Sequence, residues 1–105
     1  MSSQAWTDAE NDLIVADYFA MLVNDVAGHP YNKAEHRRQL LPHLNNRSDG
    51  SVEFKHQNIS AVLKGLGEVW LTGYKPAFNF KASLIDAVAR WLAMNPDWAY
   101  DSLSS

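Results

Sequence analysis

The chain has no cysteine, which excludes a disulfide framework, a thiolate zinc centre and a thiol nucleophile. No apolar run approaches the roughly 18 residues of a membrane span. The start, Met1 to Ala5, lacks the basic region and apolar stretch of a signal peptide. The expectation is a cytoplasmic protein without a membrane partner. A glycine-rich phosphate loop and a serine nucleophile motif are also missing, so a noncatalytic chain without a cofactor or metal is expected. The 105 residues, 47% of them hydrophobic, suit one domain over 1–105 that can bury a real core. Residues 1–5 and 99–105 are read as flexible tails.

Positive charge is absent from the first quarter of the chain. Residues 1–28 hold five acids (Asp8, Glu10, Asp12, Asp17 and Asp25) and no base, whereas residues 29–81 hold eight bases against four acids, and all four histidines. The net charge of −3 therefore hides a segregation, and local charge sets the field that meets a phosphate backbone. The competing reading is an ordinary solvated surface.

The pattern of the rest is helical. Thr7-Asp8-Ala9-Glu10 matches a capping box, and Ile14, Val15, Tyr18, Phe19, Leu22 and Val26 then recur at helical spacing until Gly28 and Pro30 end the run. Asn32 followed by Glu35 marks a second helix start, which Pro42 ends or kinks near Leu41. A third helix is predicted from Ser48–Ser51 to about Gly65, with Val52, His56, Ile59, Leu63 and Leu66 on one stripe. A fourth runs from Phe80 or Lys81 to Met94. The connection over 68–81 is irregular, with a possible short extended segment at 69–71. Trp70, Phe78, Phe80 and Trp91 are assigned to the core. The fold class predicted is all-α.

Two stretches resemble known domains. Trp6-Thr7-Asp8-Ala9-Glu10-Asn11-Asp12-Leu13-Ile14 resembles the first-helix start of Myb and SANT domains. Asn46 to Lys55 is similar to the Arg-Ser/Thr-x-x-Ser-Val-x-x-Lys pattern that opens the third helix of homeodomain-like folds. Tyr31 to His36, with Gly50 to Leu63 and Gly73 to Ala77, looks like a bacterial amino-terminal domain that precedes nuclease modules, HNH endonucleases of restriction systems among them. The resemblance implies a homeodomain-like three-helix core plus a carboxy-terminal helix. It also implies a noncatalytic targeting role on double-stranded DNA in a restriction or regulatory system, with any nuclease module elsewhere.

Lys55, His56, Gln57 and Asn58 are consecutive, and Gln and Asn amides can pair with an adenine edge while Lys serves guanine or phosphate. Gln57 and Asn58 are assigned to base contact, Lys55 to base or phosphate, and Arg47 with Ser48 to phosphates at the start of a recognition helix over 51–65. Glu53, Lys55, Gln57, Asn58 and Ser60 are expected to face away from the apolar stripe, and His56 to pack within it. Lys33, Arg37 and Arg38 are placed to brace the backbone, and Lys64 and Lys75 extend the set. Tyr74, Lys75, Phe78 and Lys81 alternate base and aromatic, as a wing or stacking surface does. The alternative is a protein-interaction module that uses the acidic first helix and exposed aromatics. A metal-dependent nuclease built on Asp49 and Glu53-Phe54-Lys55 is set aside, because those elements belong on strands of a larger sheet. His36 and His43 without a positioned carboxylate fall short of a zinc site.

Overall fold

The computed structural model describes residues 5–98. Residues 1–4 and 99–105, which make up most of the two expected tails, lie outside the described residues. The domain is all-α: α1 (Asp8–Val26), α2 (Lys33–Leu40), a single 3-10 turn (Leu41–His43), α3 (Asp49–Gly65) and α4 (Ala82–Met94). No strand occurs among the described residues.

Each of the first three helices starts where a side chain can satisfy its unpaired amides. Thr7 and Glu10 form the capping box of α1. The Asn32 carboxamide accepts from the Glu35 amide at 2.9 Å. Ser48 and Ser51 form a reciprocal cap on α3. The 3-10 turn carries Pro42, whose ring cannot continue α2. The first and third helices end alike, on Gly28 at φ +76° and Gly67 at φ +74°. At those left-handed positions His29 donates to Asn24 and Glu68 to Leu63, closing the orphan carbonyls in Schellman fashion.

The helices share one apolar core. Ile14, Val15, Tyr18, Phe19 and Leu22 of α1 meet Val52, Ile59 and Leu63 of α3 and Leu84 and Val88 of α4. The α1 and α4 pairing is the most extensive. Phe19 stacks on Trp91 with ring centroids 3.8 Å apart, and Arg90 binds Asp12 at the edge of that contact, 2.7 Å away. Leu66, predicted on the α3 stripe, is instead 55% exposed, because α3 has already ended at Gly65.

The connection over 68–81 is held by side chains rather than by a strand ladder. The Leu71 amide donates to the Tyr18 hydroxyl at 2.7 Å. Ser60 Oγ lies 2.7 Å from that hydroxyl and donates to the Leu71 carbonyl at 3.3 Å. Burial pushes the Tyr18 phenol up to about 12, so the hydroxyl stays protonated and available as a donor to Ser60. Leu71 and Tyr74 sink into the core, and the connection thereby lies over the second half of α3.

A second clamp joins the start of α1 to the turn before α3. The Glu10 carboxylate, on a residue only 2% exposed, closes the α1 cap and also accepts from the Asn45 amide at 2.8 Å. Arg47 donates to it through Nε at 2.9 Å and Nη2 at 2.7 Å. The Arg47 guanidinium beside it holds the Glu10 carboxyl well below the usual range, at about 2, against the opposing effect of burial.

A lowered carboxyl pKa stabilises the fold above the unfolded value and loses that contribution as pH falls through the folded one. Here the window runs from about 4.5 down to about 2. Glu10→Gln is expected to cost about 3 kcal/mol at neutral pH. In urea titrations the gap between parent and variant should close between pH 4.5 and 2; a gap constant across that window contradicts the assignment.

Candidate nucleic-acid interface

The first turns of α3 are its exposed part. Gly50 and Phe54 are exposed and Gln57 is half-buried, whereas Asn58 to Leu63 are buried without interruption. Six consecutive buried positions cover more than a full helical turn, so α3 is enclosed on all sides there. In the first half of α3 Asp49, Gly50 and Phe54 are exposed and Ser51, Glu53, Lys55 and Gln57 half-buried, with Gly50, Phe54 and Gln57 forming a ridge at i, i+4 and i+7; Lys64 and Gly65 are exposed at the far end of the helix.

Two of the residues expected on the outward face are therefore corrected. Asn58 is 1% exposed, and its amide donates to the Ala77 carbonyl at 2.7 Å, while the Ala77 amide returns to the Gln57 carbonyl at 3.1 Å. Asn58 thus ties the connection to α3 and cannot read a base without releasing it. Ser60 is fully buried within the Tyr18 and Leu71 network. Tyr74, expected on a stacking surface, is 2% exposed and belongs to the core, whereas Phe78, read as part of that surface and also assigned to the core, is 60% exposed.

The basic residues divide into two groups. On one flank of the α3 ridge, the cations of α2 are matched by acids. Lys33 lies 3.5 Å from Glu53, donates to the Gly73 carbonyl and sits 4.0 Å over the Tyr74 ring. Arg37 lies 3.4 Å from Asp49, and Arg38 pairs with Glu35. Lys64 stands 5.7 Å over Trp70, about 14 Å along the helix from Lys55, and Lys75 is exposed on the connection. These last two are not brought together with the others.

The other flank differs. Trp6 has the Arg47 guanidinium 4.9 Å from its ring centroid and the Lys55 ammonium at 5.0 Å. Lys55 is half-buried, and burial, then the positive charges of Arg47 and Lys81, hold its ammonium below the ordinary lysine range. Arg47 has its carboxylate in Glu10 and donates to the Ala5 carbonyl at 3.0 Å. Neither Lys55 nor Lys81 has an ion pair among the described residues. The sequence reading gave Arg47 to phosphate. Its geometry gives it to Glu10 and Trp6, so it positions the platform and adds to its field. Ser48 likewise spends its hydroxyl on the α3 cap. Trp6 and Phe54 are not among the predicted site residues: Trp6 stands in the base-free first quarter of the chain, and only Phe54 is next to a cation, Lys55.

A polar node lies on the opposite side of α3. The Asp17 carboxylate takes His36 Nδ1 at 2.7 Å and His56 Nε2 at 3.2 Å, linking α1, α2 and α3. His56 stacks on Tyr74 with centroids 4.6 Å apart, in keeping with a packed histidine. His43 sits apart on the 3-10 turn and is exposed. Among the described residues no group of three or more His, Asp or Glu is placed to hold a metal ion, and no helix is long and apolar enough to cross a membrane.

Comparison with family models, with curated proteins and with solved structures gave no match. The class that the fold defines is a small all-α domain, and at the start of its third helix Lys55 stands over Trp6 with no ion pair among the described residues.

Asn58→Ala should cost about 1–3 kcal/mol, because it leaves the part-buried Ala77 carbonyl without its donor. Hydrogen exchange should show faster exchange at Ala77 and Leu71. Unchanged protection there would contradict the clamp.

Proposed function

We propose that the chain is a noncatalytic nucleic-acid-binding domain that engages the backbone of duplex DNA through the first half of α3. The observation that carries this reading is the Lys55 environment. Neither Lys55 nor Lys81 is ion-paired among the described residues. Burial first, then Arg47 and Lys81 close by, depress the Lys55 ammonium, with Glu10 opposing the effect in part, in a chain whose net charge is −3. Crowding like charges is unfavourable until an anion arrives, and a phosphate accepts from several donors at once. The Trp6 ring under Lys55 and the exposed Phe54 on the same half of α3 supply the apolar contact that sugars and bases offer a binding surface.

The outward ridge of α3 fits a groove in the way helix-turn-helix proteins use the start of a recognition helix. With Asn58 committed to Ala77, Gln57 is the side-chain amide left to read a base edge on that ridge. The acid-paired cations Lys33, Arg37 and Arg38 lie on the far flank, where exchanging a carboxylate for a phosphate gains less. Kinship with homeodomain-like domains ahead of nuclease modules, and a place in a restriction or regulatory system, belong to the same proposal and rest on the sequence resemblance alone.

Fluorescence anisotropy on labelled duplex and single strands across a salt series tests this. Duplex binding should weaken as salt rises, and Lys55→Ala with Lys81→Ala should flatten the log–log salt slope by about 1.8, two phosphate contacts at about 0.9 each. Lys75→Ala should leave binding unchanged. Absence of duplex binding at low salt, or a double variant that binds like the parent, would overturn the proposal.

A further inference from the structure

The connection before α4 holds Phe78 outward while fixing the chain around it. The side chain is 60% exposed. The preceding residue is bound twice to α3: the Ala77 amide donates to the Gln57 carbonyl at 3.1 Å, and its carbonyl accepts from the Asn58 amide at 2.7 Å. Two residues on, Phe80 is partly buried against the core, and α4 begins at Ala82. Phe78 is thus displayed between two anchors, and a contact made there has little backbone ordering left to cost. A single exposed apolar residue is ordinary. What sets Phe78 apart is its company.

Ala77 lies against Gln57, and Lys81 lies close enough to Lys55 to act on its charge, so residues 77–81 run beside α3 back toward its start. Lys55 and Lys81 have no ion pair among the described residues. The half-buried Gln57 makes no side-chain hydrogen bond among them, and Glu53 is turned to Lys33 on the opposite flank. Of the four residues expected to alternate on a stacking surface, Tyr74 is buried, and Phe78 and Lys81 are the two that reach this strip. Ring, free carboxamide and unpaired cations are what a nucleotide calls for, with its flat base, its donor and acceptor edge and its phosphate. In a paired duplex both faces of each base are covered by neighbouring pairs, so a ring on the connection can stack only on a base that is out of the stack.

We infer that Phe78 is a base-stacking residue and that the preferred ligand of this surface is duplex DNA carrying an unpaired base, with that base on the Phe78 ring and the flanking phosphates on Lys55 and Lys81. The inference rests on the nucleic-acid reading above and adds to it the form of DNA that is bound. Gln57, beside the Ala77 anchor, is the group that meets the edge of the base. A base that has no pairing partner costs least to take out of the stack, which is why an unpaired position is preferred over a matched one.

Fluorescence anisotropy with three labelled probes tests this: a blunt duplex, the same duplex with one bulged adenine, and the same duplex with an abasic residue at the bulge. The parent should bind the adenine bulge at least about fivefold more tightly than the blunt duplex, the lower end of stacking on an aromatic. The abasic bulge, which bends as easily but has no ring, should bind like the blunt duplex. Phe78→Ala, with the parent helicity by circular dichroism, should lose the preference and keep the blunt-duplex affinity, and Phe78→Trp should retain the preference. A parent that binds the adenine bulge no better than either other probe, or a Phe78→Ala variant that keeps the preference, overturns the inference and leaves the nucleic-acid reading standing. A parent that binds none of the three at low salt overturns both.

Discussion

The Glu10 carboxylate is the constraint on which the rest is hung. It accepts from Thr7, Asn45 and Arg47, and those three donors come from the start of α1, the turn after α2 and the residue before the α3 cap. One buried group therefore fixes where α3 begins relative to α1. A buried ion pair gains little over an apolar substitute in stability alone, whereas breaking one by removing a partner is costly. Here the pair also has a geometrical consequence. It holds Arg47 against Trp6, and Trp6 in turn lies under Lys55. The candidate site is thus built on a structural salt bridge rather than beside it.

The second organising group is Tyr18. Its hydroxyl satisfies the Leu71 amide and pairs with Ser60, which lets an irregular connection be buried without a strand. Once the connection lies over α3, residues 58–63 of that helix are closed to any ligand, and the exposed first turns become the longest part of it that can engage a partner. The Asp17, His36 and His56 node does comparable work on the other side, tying α2 to α1 and α3. These three polar centres join α1, α2 and α3 as specifically as the apolar core joins them generally, while α4 is held to α1 by Phe19 on Trp91 and Asp12 on Arg90.

The local part of this architecture was legible in the sequence. Thr7 with Glu10, Asn32 with Glu35, and Ser48 announced three helix starts, and Gly28 and Gly67 announced two ends, because capping depends on residues within one turn. The stripe of Ile14, Tyr18, Phe19 and Leu22 was equally plain. What could not be read were contacts set by tertiary packing. Asn58 looks like a base-reading amide beside Gln57, and only the passage of Ala77 across it decides that it is buried. Arg47 looks like a phosphate ligand, and only the fold brings Glu10, 37 positions away, into its plane. The burial of Tyr74 and the exposure of Phe78 were illegible for the same reason: neither lies in a periodic segment, so their exposure follows from how the connection is anchored.

The central claim is that the platform formed by Trp6, Lys55 and Lys81, together with the exposed Phe54 and Gln57 ridge on the same half of α3, is where nucleic acid meets this chain. Backbone and indole NMR shift mapping during titration with an unlabelled duplex tests it most directly. The account predicts the largest changes at the Trp6 indole and the amides of Phe54, Lys55, Gln57 and Lys81, with the outer face of α1 unmoved. Changes centred on Leu13 to Val23, or none anywhere at low salt, would contradict it.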